Sequence, residues 1–202
     1  MRGVKRDFDR IEIKSRSDLR RWFERNGDRR ESVWIVTYKK RVNGLHVPYS
    51  DVRDEALCFG WIDSRPAKLD DRRSMLLVSP RKPGSAWSAI NKDRVAALSA
   101  EGRMTQAGNA AVEEAKQDGS WTFLDDVERL EEPADLVAAL IAEPDAHRFW
   151  RAFPPSTRRG ILEWIKQAKR TETRQKRIRE TARLAAQNIR ANAPRRAPAS
   201  KD

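Results

Sequence analysis

The chain is short of the residues from which most catalytic and metal sites are built. It has one cysteine, Cys58, and two histidines, His46 and His147. A single cysteine cannot close an internal disulfide, which fits a reducing compartment. One thiol and two distant imidazoles do not make a ligand set, and no paired-carboxylate motif stands in for them. No catalytic constellation, metal or cofactor is therefore expected. No apolar run approaches the ~20 residues of a membrane-spanning helix. The first residues carry charges at Arg2, Lys5, Arg6, Asp7 and Asp9 without an apolar stretch. No secretory leader is expected from them, and the location expected is cytoplasmic. Internal repeats are absent too.

What is present suffices for a packed core. The 202 residues are 39% hydrophobic, enough for one domain or two small ones. Residues 10–15 alternate as a half-buried strand. Ser17 caps a helix to about Arg25, with Leu19, Trp22 and Phe23 on one face and Gly27 beyond its end. Val33 to Lys40 is β-branched and aromatic, a strand, and Asn43-Gly44 predicts a hairpin that pairs Leu45 to Val47 back onto it. Ser50 caps a short helix that ends at Gly60. Asp63 to Pro66 is a turn, and Ser74 to Ser79 a buried strand.

From Trp87 onward the pattern is helical. Ile90, Arg94, Val95 and Leu98 form one stripe. Thr105 opens the next helix, with Ala110, Ala111 and Ala115 for close packing and Gly119 at its end. Helices starting at Pro133, Pro144, Ser156 and Thr171 follow. The last carries a narrow seam of Ile178, Ala182, Ala185 and Ile189 to about Asn192. The predicted fold is α+β: a small, mostly antiparallel sheet with helices in the N-terminal half, and an all-helical C-terminal half. The expected limits are 1–124, 125–192 and a disordered basic tail, 193–202. Seven tryptophans, almost one per predicted element, suit a core of aromatic anchors better than a single aromatic cage.

Several blocks carry a family resemblance. They are Cys58-Phe-Gly-Trp-Ile-Asp63, Ser79-Pro-Arg-Lys82, Ser85-Ala-Trp-Ser88, Asn91, Glu101-Gly-Arg-Met104 and Ala168-Lys-Arg-Thr-Glu-Thr-Arg174. Together they resemble the bacterial YdeI/OmpD-associated family, from about residue 15 to residue 190. That family is labelled for bacteriocin protection or association with an outer-membrane porin, and no agreed reaction comes with it. The resemblance implies a non-enzymatic, cytoplasmic stress-resistance or binding protein. It also implies a protein partner, a porin or a component of a peptide-stress pathway, reached indirectly.

The residues themselves offer two further sites. Ser79-Pro-Arg-Lys-Pro-Gly-Ser85 sets Arg81 and Lys82 in a turn that feeds a helix capped by Ser85 or Ser88. Cations and helix N-termini both favour a bound carboxylate or phosphate. Trp61, Asp63, Trp87 and Asn91 complete this candidate site, which would serve a binder of small anionic ligands or an enzyme acting on them. The alternative is a structural turn in which Arg81 pairs with Asp63 or Asp70. The second candidate is electrostatic. The net charge is +12, and residues 166–202 hold twelve Lys/Arg against three Asp/Glu. Lys176, Arg183 and Arg190 recur every seven residues, with Arg179 nearby, a pattern for nucleic-acid phosphates or for a merely solvated helix face. No aromatic is interleaved with them, so stacking on single-stranded bases finds no support. Cys58, inside an apolar run with no base in sequence reach, reads as a small buried hydrophobe.

Overall fold

The structure, a computed structural model, describes residues 8–42 and 44–192. The chain divides into two compact units between Phe123 and Leu124. The first holds all the strands of the described residues; helices make up the second. The fold is α+β with a four-stranded, mostly antiparallel sheet.

The first unit begins with β1 (Arg10–Glu12), α1 (Arg16–Asn26) and β2 (Val33–Tyr38). Ser15, not Ser17, caps α1: its hydroxyl accepts from the Asp18 N–H at 3.1 Å. Leu19 and Phe23 point into the core, and Trp22 is half-buried. The helix is a crossover, which lets β1 and β2 pair in parallel with Ile11 opposite Ile35. β2 is central, and four of its residues are almost wholly buried. That is why its apolar side chains occupy both faces rather than alternating with polar ones.

The predicted hairpin does not form. The neighbours of β2 are β1 and β4 (Arg73–Pro80), so both its edges are occupied, and only an isolated bridge joins Tyr38 to His46. Asn43 itself lies outside the described residues. The chain passes instead into α2 (Tyr49–Cys58), whose N-cap position is Pro48 rather than Ser50. Gly60, at φ +75°, ends the helix as expected.

The predicted turn at Asp63 to Pro66 is a strand. β3 (Trp61–Lys68) pairs antiparallel with β4, with an irregularity between Asp63 and Pro66. β3 is the edge of the order β1-β2-β4-β3, where a proline and a bulge cost no ladder bond to a further strand.

α3 (Ala89–Ala100) and α4 (Gln106–Gln117) complete the unit, capped by the hydroxyls of Ser88 and Thr105. Val95 and Leu98 are buried, but Ile90 is exposed, so the stripe is narrower than its spacing suggested. On α4 the buried residues are Gly108, Val112 and Ala115, whereas Ala110 faces outward.

The second unit contains α5 (Asp125–Glu128), α6 (Ala134–Ala142), α7 (Ala146–Ala152), α8 (Pro155–Lys166) and α9 (Thr171–Ala185). Ser156 and Thr171 are not caps. Pro154 holds that position for α8 and Arg170 for α9, so each hydroxyl residue sits inside its helix. Leu136, Leu140, Trp150, Ile161, Leu162 and Ile165 form the core together with the α9 seam of Ile178, Ala182 and Ala185. The Trp150 indole donates to Glu132 at 2.8 Å, which satisfies its buried N–H. α9 ends at Ala185, and a left-handed Asn188 redirects the chain, so Ile189 is exposed rather than part of the seam. Ile141 is exposed as well. Among the described residues no helix is long and apolar enough to cross a membrane. The tail predicted to be disordered, 193–202, lies outside the described residues.

Candidate functional site

The turn after β4 separates its two cations. Arg81 N–H donates to the Gly60 carbonyl at 3.0 Å, tying the turn to the end of α2. Gly84, at φ +73°, donates to an Asp118 oxygen at 2.7 Å, and Trp87 N–H donates to the Ser120 carbonyl. Hydrogen bonds from Ser120, then from the Gly84 backbone, hold the Asp118 carboxyl below the usual carboxylate range. The turn is therefore fastened at three points.

Arg81 turns inward. Its guanidinium lies 3.5 Å from the centroid of the buried Trp87 ring, and Trp87 in turn packs on Trp121. Nη1 reaches the carbonyls of Ser85 and Ala86 at 3.4 and 3.3 Å, while Nε and Nη2 are buried without a partner. Burial pushes the Arg81 pKa down to about 10, against the opposing charge of Asp63. Neither expected carboxylate pairs with it. Asp63 accepts from the Tyr49 hydroxyl, and Asp70 is bound by Arg73. The slit beside Arg81 has a volume of about 10 Å³, room for roughly one water and not for a phosphate.

Lys82 lines that slit too, but it is exposed. It borders an open cleft of about 650 Å³ with Arg29, Arg30, Glu31, Ser32 and Ser79. The sheet register builds this cleft: Val33 pairs with Val78, which puts Ser32 opposite Ser79, their hydroxyl oxygens 2.7 Å apart. Arg29 is engaged by Asp9 at 2.7 Å. Arg30 and Lys82 are exposed and have no ion-pair partner among the described residues. Because Ser32 and Ser79 share a hydrogen bond, one of their two hydroxyls is left to donate, so the cleft offers an anion one hydroxyl donor and the two cations Arg30 and Lys82, with Glu31 opposing them.

The other members of the predicted set are scattered. Trp61 is buried, packs on Trp22 and Phe23, and donates to the Gly27 carbonyl, so it walls no cleft. Asn91 supplies the N–H that Ser88 caps. In the second unit Lys176, Arg179 and Arg183 are exposed on α9, whereas Arg190 lies beyond the helix end and does not continue that face.

Residues 11–111 match the family described as Domain of unknown function (DUF8412), and residues 129–188 match the family described as Bacteriocin-protection, YdeI or OmpD-Associated. The chain belongs to the DUF8412 family and carries a YdeI/OmpD-associated domain. No curated protein and no solved structure matches it. The YdeI/OmpD-associated match falls on α6 to α9. The blocks between Cys58 and Met104, which looked like the same family, fall within the DUF8412 match instead.

The DUF8412 part contains a charge cluster that the sequence reading missed. Glu55, 1% exposed, accepts from Arg16 at 2.8 Å, from Arg20 at 3.2 Å and from Arg103. Beside it Asp54 is held by Arg94 and Arg53 at 3.1 Å. Burial raises the Asp54 pKa, but the hydrogen bonds and charges of Arg94 and Arg53 outweigh it and leave it below the usual range. The available signals were the four-residue spacing of Arg16 and Arg20, which puts both on one helical face, and an acidic pair abutting an apolar run. Arg103 stood in the block Glu101-Gly-Arg-Met104, but nothing in the sequence paired it with Glu55.

Cys58 is fully buried, and burial followed by the charge of Glu55 pushes its thiol up, against Arg103 and Arg20. A raised thiol in a packed core is a poor nucleophile. Native protein should react with a thiol reagent at least tenfold more slowly than urea-unfolded protein. Rapid stoichiometric labelling of the native state would contradict this.

Proposed function

We propose that the protein is a non-enzymatic, cytoplasmic binding protein of the bacteriocin-protection type, and that its first unit holds a small anion in the Lys82 cleft. The observation that carries the reading is the register pairing of β2 with β4. It sets the Ser32 and Ser79 hydroxyls in the same cleft as Lys82 and Arg30. The one hydroxyl proton left over from the Ser32–Ser79 bond, with two cations outside any ion pair among the described residues, suits a phosphate or carboxylate. The family match on the second unit supports the protective role. Any link to a porin would be indirect for a cytoplasmic protein.

Inorganic phosphate is the first probe. Binding to the folded state alone should raise the Tm, by about 1.4 kcal/mol of stability at ten times the Kd. Lys82→Ala should abolish that rise without changing the Tm in its absence, because Lys82 is exposed. Arg81→Ala should do the reverse: retain the phosphate response and lose about 1–3 kcal/mol of packing and cation–π contact with Trp87. A phosphate-independent Tm in the unmodified protein, or an undiminished rise in Lys82→Ala, would overturn the proposal.

A further inference from the structure

We infer that the outer face of α9 binds the phosphate backbone of double-stranded nucleic acid, without reading its sequence. The second unit distributes its charges unequally. Four of its acids are spent on pairs away from the outer face of α9: Asp126 with Lys166, Glu128 with Arg159, Glu132 with Arg158 and Asp135 with Arg174. Within α9, Arg174 is taken by Asp135, and Arg177 lies over Trp164 and donates to its carbonyl. Lys176, Arg179 and Arg183 remain exposed with no ion-pair partner among the described residues. Their spacing of three and four residues places them on one face.

The face has a length that suits its target. Seven residues of helix rise about 10 Å, against about 3.4 Å of axis per phosphate along one strand. Three cations can therefore meet about three phosphates. Glu172 and Glu180 each stand four residues from Lys176 on this face and lower its net charge, though neither forms an ion pair with the three cations among the described residues. The exposed residues of α9 are otherwise Thr171 and Gln175. No aromatic is offered for stacking on unpaired bases, and no apolar side chain for insertion among lipids. That composition favours a duplex over a single strand or a membrane surface. The inference is independent of the Lys82 cleft, which lies in the other unit.

The test is fluorescence anisotropy with a labelled mixed-sequence DNA duplex of about 20 base pairs, using the full chain between 50 and 200 mM salt. Three phosphate contacts give a slope of log K against log salt of about −2.7. The triple variant K176A/R179A/R183A should bind at least tenfold more weakly at 50 mM salt, with a slope nearer zero by about that amount. Its Tm should be unchanged, since the three side chains are exposed and alanine favours a helix. K82A should bind the duplex as the unmodified protein does. Absence of binding at 50 mM salt would overturn the inference. So would a triple variant that binds equally tightly, which would place the interaction on other cations. Binding to phosphatidylglycerol vesicles but not to duplex would overturn it in favour of an anionic membrane surface.

Discussion

Glu55→Gln is expected to destabilise the first unit by about 3–5 kcal/mol, among the largest effects of any single substitution here. The carboxylate is almost inaccessible to water and is the common acceptor for Arg16, Arg20 and Arg103, which come from α1 and from the segment after α3. Removing its charge leaves three guanidinium groups around a neutral amide. Their remaining carboxylate contacts are longer or more exposed: Arg16 with Asp51 at 3.3 Å, Arg20 with Glu24 at 3.4 Å and Arg103 with Glu101 at 3.3 Å. For a unit of this size the loss corresponds to a fall in Tm on the order of 10 °C or more. Thermal and urea unfolding of the variant would measure it. A cost below about 1 kcal/mol would mean that water screens the three partly exposed arginines well enough to dispense with the carboxylate.

The same cluster sets an acid limit. The Asp54 pKa is lower in the folded state than the unfolded value of about 3.9. Its contribution to stability is therefore complete above that value and is lost as pH falls through the lower folded value.

Gly108→Ala should cost about 1–3 kcal/mol or more, although alanine is the better helix former. A Cβ at position 108 would stand 2.8 Å from the Cys58 carbonyl carbon, closer still to its oxygen, and 2.9 Å from the Met104 methyl. The methyl can move; the backbone of α2 cannot without disturbing the core. The same carbonyl accepts from the Thr105 N–H at 3.1 Å and from its hydroxyl at 2.6 Å, so displacing α4 also weakens the cap of that helix. Gly160 is the control. It lies within α8, and a Cβ there meets nothing within 4 Å. Gly160→Ala should stabilise the second unit by about 0.5–1 kcal/mol. Chemical denaturation of both variants checks the pair. Changes of the same sign at the two positions would refute the account of Gly108 as a packing requirement.

Local chemistry made much of the fold legible before any coordinates. The apolar runs at Val33 and Met75 are strands, Gly60 ends its helix, Thr105 caps its helix, and of the two serines offered for α3 it is Ser88 that caps, because these outcomes depend mostly on neighbouring residues. The errors fell where a distant partner decided. Asn43-Gly44 carries a hairpin signal, yet β2 had both edges filled by strands that no local rule names. Asp63 to Pro66 reads as a turn, yet it lies along β4 at an edge that tolerates proline.

The candidate sites divide in the same way. The sequence by itself determined that Arg81 and Lys82 share a turn, that the net charge concentrates in the last helix and the residues beyond it, and that Cys58 lies in an apolar run. Only the tertiary structure decided that Arg81 stacks inward on Trp87 while Lys82 faces a cleft, since a turn fixes adjacency and not direction. Only strand register brought Ser32 to Ser79, and only the packing of α1, α2 and the chain after α3 gathered three arginines on Glu55. The physical reason is common to all of these. Propensities and caps act within a few residues, whereas the partner of a buried charge is chosen by the whole fold, which must supply one wherever desolvation would otherwise leave the charge alone.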